Sequence, residues 1–302
     1  MLQLLTIFFN ILAPVLLLVV LGYMFGPRLQ LEARTLSRFA YFILTPAFII
    51  DVLSTADIQA SLALQMVGYS IVVQLLCAAI GFIVAQLLRR STQVTAAYVI
   101  IASFPNVGNF GLPIIDFALE SEQARVYATI YFLVMLTVSF LVGIIAANWG
   151  RSGSLRSVVA VIKTPAIIAL PPALLFNWMQ ISLPPLAARP VELLAGALIP
   201  TMLVALGVQL AQTGIPRPNV DIISSSAVRL IGGPVLALLL AIPFGLEGIA
   251  RGTGVLQASM PTAVLASIIA LENELAPQFV IAAVLFSTLA SVLTLTVVVA
   301  II

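Results

Sequence analysis

Charge is what this sequence has least of. Only 8% of its 302 residues are Asp, Glu, Lys or Arg, whereas 62% are hydrophobic; soluble domains carry about a quarter charged residues. A water-soluble fold of this size could not cover its surface with so few charges, so the chain uses lipid as its outer solvent. Histidine is absent, which removes the commonest proton relay and transition-metal ligand. No metal site and no cofactor are expected, with coupling to Na+ or H+ left open. The single cysteine, Cys77, excludes an internal disulfide framework and reads as a small core residue of the apolar stretch 71–83. A net charge of +2 carries no nucleic-acid signal. Lys and Arg are missing from the first 27 residues, so there is no basic n-region of a cleavable signal peptide. Polar-apolar alternation is missing too. Continuous apolar stretches such as 11–21 and 292–302 exclude a β-barrel. Nothing pairs a nucleophile with a base, and there is no Gly-rich phosphate loop or soluble nucleotide-binding domain. The chain is expected to be neither an enzyme nor an ATP-driven pump.

What is present is a series of charge-free stretches. At about 20 apolar residues per span the chain is predicted to be an all-α polytopic membrane protein with ten transmembrane helices. The stretches are 1–27, 39–50 (extended somewhat at each end), 58–88, 91–115, 126–150, 164–188, 193–216, 222–246, 252–271 and 275–302. Connections after odd-numbered spans hold Arg28, Arg34, Arg38, Arg89, Arg90, Arg151, Arg156, Lys163 and Arg217, and those after even-numbered spans only Arg125, Arg189 and Arg251. By the positive-inside rule the odd loops are cytoplasmic, and both termini lie on the non-cytoplasmic side of an inner membrane. Tyr127, Tyr131, Trp149 and Trp178 suit the aromatic belts at the membrane surfaces.

An internal repeat runs through the chain. Pro46 in span two matches Pro200 in span seven, 154 residues on. Ala102-Ser103-Phe104-Pro105 matches Ala258-Ser259-Met260-Pro261, 156 residues on, and Asp116 matches Glu272 at the same offset. Each half holds five spans, an odd number, so the second copy is inverted. Residues 1–150 form one inverted repeat and 151–302 the other, the plan of secondary transporters whose sites lie near the midplane between broken helices.

The sharpest motif is residues 104–113, Phe-Pro-Asn-Val-Gly-Asn-Phe-Gly-Leu-Pro. Pro105 and Pro113 each remove a backbone donor and oppose the preceding turn, and Gly108 and Gly111 admit conformations that other residues resist. Span four should open here into two half-helices. The freed N–H and C=O groups must then face protein, water or a ligand. The N-terminus of the second half-helix can hold a carboxylate, and Asn106 and Asn109 add amides that can donate to it. In span nine, Gln257, Ser259 and Thr262 surround the matching Pro261. Arg229 interrupts span eight and admits two readings, a buried functional charge or a side chain snorkelling to the surface. Asp51 and Asp57 read as solvated. Asp116, close after the broken helix, is the one candidate for a coupling-ion site.

These residues carry a family resemblance. Pro-Asn followed by Gly-x-Pro in span four, residues 256–261 and 270–273 in span nine, and the tail 286–291 resemble the auxin efflux carrier (PIN-like) family, which includes many bacterial transporters. The resemblance covers the chain from first span to last. It implies a fold related to the bile-acid symporters and sodium/proton antiporters. Spans one, two, six and seven would form a scaffold, often a homodimer. Spans three to five and eight to ten would form a transport domain, with helices four and nine crossing at their prolines. It also implies a carrier of small organic anions in a bacterial inner membrane, with Asn106 touching the substrate carboxylate. The long central loop of the plant members is absent, and Thr262 replaces their larger polar residue, so auxin itself is not implied. Two other functions stay open: a sodium-coupled symporter or cation/proton antiporter on the related fold, and a membrane sensor that moves nothing.

Overall fold

The computed structural model describes residues 13–56, 58–147, 164–213 and 217–302, together with residue 9. Expectations for the start of span one and for Asp57, Trp149, Arg151, Arg156 and Lys163 lie outside the described residues. Among those described the regular structure is all helical, apart from one isolated antiparallel bridge. The helices fall on the charge-free stretches: α1 (Ala13–Phe25), α2 (Ala33–Thr55), α3 (Ala60–Leu87), α4a (Thr92–Ser103), α4b (Val107–Leu119), α5 (Glu122–Ala147), α6 (Pro165–Trp178), α7 (Pro185–Thr213), α8 (Val220–Ala241), α9a (Gly248–Ala258), α9b (Val264–Glu272) and α10 (Pro277–Ile301). Six of them, α2, α3, α5, α7, α8 and α10, are long and apolar enough to cross a membrane, and α1, α4a, α4b and α6 are shorter apolar helices. Large side chains such as Leu64, Leu87, Leu186 and Leu293 stand exposed, as expected where hydrocarbon replaces water outside.

The short second stretch is lengthened at both ends, to Ala33 and to Thr55, and at its front α2 takes in Arg34 and Arg38. It continues through a π turn at Ala40–Leu44, and two further π turns cover Val107–Gly111 and Val228–Gly232. All three obey one rule. Each ends two residues before a proline (Pro46, Pro113, Pro234), and in each the residue just ahead of that proline donates five positions back: Thr45 to Ala40, Leu112 to Val107, Gly233 to Val228. A proline has no N–H and its ring crowds the carbonyl four residues earlier. The wider π turn absorbs that crowding without ending the helix, and such bulges often mark functional positions.

Packing against α1 is set by two glycines. A Cβ on Gly207 of α7 would lie 2.7 Å from the Tyr23 nitrogen and 2.9 Å from the Gly22 Cα; one on Gly22 would lie 3.0 Å from the Val204 Cα. The backbones of α1 and α7 therefore approach as closely as small residues permit, a membrane substitute for hydrophobic drive. Tyr127 and Tyr131 are buried, 4% and 1% exposed, which corrects their placement in an aromatic belt. The cause is the position of α5, packed between α3, α4a and α9a; the Tyr131 ring meets Tyr69 edge-on at 6.4 Å. Trp178, at the end of α6, stays exposed.

Gly207→Ala should overpack the α1–α7 contact at a cost of about 1–3 kcal/mol or more. Gly196→Ala, in the same helix with nothing within 4 Å of the added Cβ, should be neutral or slightly stabilising. Thermal unfolding of the two purified variants checks this, and equal midpoints would contradict it.

Candidate functional site

Both broken helices open at the same place. α4a ends at Ser103 and α4b begins at Val107; α9a ends at Ala258 and α9b begins at Val264. The connecting segments run antiparallel and pair Pro105 with Thr262. Asn106 N donates to Pro261 O at 2.7 Å and Ala263 N donates to Phe104 O at 2.6 Å. In this register the missing N–H of Pro105 faces away from the partner segment, so the proline removes no bond from the bridge. The Thr262 N–H also points outward and reaches Ser287 Oγ on α10 at 3.1 Å, while the Thr262 hydroxyl donates to Ile101 O at 3.2 Å.

The ends of α4a and α9a expose carbonyls that their own helices cannot use. Arg229, from the π turn of α8, answers both. Its Nη1 donates to Ala102 O at 2.6 Å and its Nη2 to Ala258 O. The sequence left Arg229 between burial and snorkelling; it is 1% exposed. An arginine at the centre of a membrane helix costs about 2.5–3.5 kcal/mol on insertion scales, and a hydrogen bond from a charged donor contributes about 1.5–3 kcal/mol. Two such bonds offset much of that cost, while the Arg229 Nε is buried without a partner. Gln74 Nε2 and Ser139 Oγ donate to the next carbonyl, Ser103 O, at 2.6 and 2.8 Å. Neither residue stood out in the sequence, because a lone Gln or Ser in an apolar helix carries no signal. Ser103 and Ser259, 156 residues apart, behave alike: each hydroxyl donates to the carbonyl four residues back, Val99 O at 2.7 Å and Val255 O at 2.6 Å.

The opposite ends present donors. Asn106 is 3% exposed and its Nδ2 has no partner. Its backbone oxygen receives Phe110 N and Gly111 N at 3.3 and 2.9 Å, and Val107 N turns back to Pro105 O. By helix geometry the N–H groups of Gly108 and Asn109 are the ones that α4b itself does not use. Gly108 is packed against the Phe132 ring, and Asn109 is half-buried. Gln257 is buried; its Nε2 donates to Ala128 O at 3.3 Å and its Oε1 is unpartnered. That Oε1 lies against Gly111, where a Cβ would collide with it. Pro113 and Pro261 are buried in the walls. The structure thus brings Pro105, Asn106, Gly111, Gln257, Ser259, Pro261 and Thr262 to one crossing. Asp116 is engaged elsewhere, in an ion pair with Arg125 of α5. Asp51 is half-buried, and the side chain of Glu272 lies outside the described residues.

Chemically the crossing joins a carbonyl-lined end, filled by a guanidinium, to a half-helix N-terminus with a buried amide donor free. Such an N-terminus is a ready anion site.

The sequence profile described as "Membrane transport protein" matches residues 7–157 and 149–299, which together span nearly the whole chain. An uncharacterized transporter of Methanothermobacter thermautotrophicus is 27% identical over 290 residues, covering 93% of this chain and 94% of the relative. A second uncharacterized transporter, from Methanocaldococcus jannaschii, is 22% identical over 293 residues with the same coverage, 93% and 94%. These matches bear out the resemblance carried by the two proline motifs.

Gly111→Ala should drive Gln257 from its place and lower the thermal midpoint. Gln257→Ala in the same chain should recover part of the loss. Contacting residues show coupling of about 0.5–3 kcal/mol in a double-mutant cycle, so strictly additive effects would rule the contact out as limiting.

Proposed function

We propose that this chain, which belongs to the membrane transport protein family, carries small organic anions by alternating access around the crossing of α4 and α9. The observation that supports this reading best is the Asn106 amide, a donor buried at the mouth of α4b with nothing to donate to. An unsatisfied buried donor is costly, and a carboxylate oxygen would satisfy it. One oxygen of the carboxylate would accept from Asn106 Nδ2, and the other from the N–H groups of Gly108 and Asn109. The half-helix dipole would favour the negative charge, and the Asn109 amide would add a second side-chain donor. Gln257, Ser259 and Thr262 would close the site from α9.

The arrangement proposed for the whole chain is ten spans in two inverted five-helix repeats, residues 1–150 and 151–302. Helices α1, α2, α6 and α7 form the scaffold, which pairs two copies of the chain. Helices α3 to α5 and α8 to α10 form the moving domain. The contact of residues 107–111 with α7 supports an anion site on the seam between the two, which a sliding or rocking motion would expose first to one side and then to the other. The protein would lie in a bacterial inner membrane with both termini on the non-cytoplasmic side. An anion is favoured over a coupling cation as the crossing's ligand because Asp116 is already paired with Arg125 and the carbonyl ends already hold Arg229.

A panel of mono- and dicarboxylates tested by thermal shift on purified protein, then by uptake into proteoliposomes, tests the reading. At least one carboxylate should raise the midpoint and be taken up. Asn106→Ala should weaken that binding by about 1.5–3 kcal/mol, about ten- to a hundredfold, while the midpoint without carboxylate stays at the wild-type value. Unchanged uptake by the variant would sink the assignment of Asn106. Binding without uptake would instead make the protein a sensor.

A further inference from the structure

Among the described residues Arg229 is the only buried side chain with a full charge. No carboxylate faces it: the ion pairs among those residues are Arg90 with Asp221 and Arg125 with Asp116. Its Nη1 and Nη2 are instead held by two carbonyls at equivalent places, Ala102 O at the end of α4a and Ala258 O at the end of α9a, and its Nε has no partner. Both are helix C-termini, which carry partial negative charge. The surrounding sequence keeps room for this head group: at Gly233, one turn along α8, a Cβ would sit 3.1 Å from the Arg229 Cζ. The π turn that carries Arg229 packs on α3, α4a and α10, whereas residues 107–111 pack on α5, α7 and α9a. The guanidinium thus reaches the crossing among a different set of helices from those around the Asn106 side.

We infer that Arg229 is the fixed cation of the crossing, tying the carbonyl ends of α4a and α9a together and supplying the positive charge that a bound metal cation would otherwise bring. Half-helix carbonyl ends of this kind are sodium ligands in other secondary transporters; here both ends are taken by one side chain. Arg229 is a positioning residue in this role. Two consequences follow. The crossing assembles without any metal cation, and anion flux runs without a sodium gradient; only the second rests on the carrier reading above.

The test is chemical rescue. Purified Arg229→Ala, held in choline chloride, should unfold several degrees below wild type. Millimolar guanidinium should restore much of the loss, while urea, the neutral molecule of the same shape, should restore none. The wild type should unfold at the same temperature in sodium and in choline chloride. A wild-type midpoint for Arg229→Ala, or equal rescue by guanidinium and urea, would overturn the inference. If Arg229→Ala cannot be purified, Arg229→Lys and Arg229→Met decide: Lys should preserve a foldable protein and Met should not, and like behaviour of the two overturns the claim. Sodium-dependent uptake by wild-type proteoliposomes would overturn the second consequence. These midpoints need no transported anion, so failure to find any substrate would sink the carrier reading and leave this result standing.

Discussion

Two hydrogen bonds between residues 104–106 and 261–263 do for the broken helices what water does for a break in a soluble protein. A helix that opens inside a membrane leaves N–H and C=O groups that hydrocarbon cannot satisfy. One break alone would need partners from several neighbours. Two breaks laid antiparallel satisfy each other, and the remaining carbonyls fall to Arg229, Gln74 and Ser139. Helices α3, α5 and α8 each deliver a side chain to this one region. Asn106 Nδ2 is left free here, as are Arg229 Nε, Gln74 Oε1 and Gln257 Oε1.

The π turns belong to the same logic. A proline in a membrane helix usually kinks it, but here the strain is absorbed one turn earlier by bonds five residues back. That keeps α2 and α8 continuous through Pro46 and Pro234. The third π turn also carries Arg229, whose side chain reaches both carbonyl ends of the crossing.

Much of this was legible in the residues. The low charge announced lipid as solvent, and the charge-free stretches located most helices to within a few residues; the exceptions are α2, which runs past its stretch into Arg34 and Arg38, and the turn between α6 and α7, where α6 ends at Trp178 and α7 begins at Pro185, ahead of Arg189. Pro105 and Pro261 marked the breaks because a missing N–H is a local property that any reader of the sequence can see. Gln74, Ser139 and the pairing of Pro105 with Thr262 were not legible, since each depends on which distant helices become neighbours. Arg229 was visible as a charge in an apolar stretch, yet its direction could not be read: the carbonyls that hold it lie 127 and 29 residues away. Tyr131 misled for the converse reason. Aromatic residues near a span end suit a belt until α5 proves to be surrounded.

A single guanidinium serving two matched carbonyls also forbids full symmetry between the halves. At the offset of 156 that relates Ala102 to Ala258, the position matching Arg229 is Val73, itself buried. Were an arginine there too, two cations would compete for the same pair of oxygens and repel one another in a low dielectric. The matched halves can therefore agree on their prolines, alanines and serines but must differ at this one place.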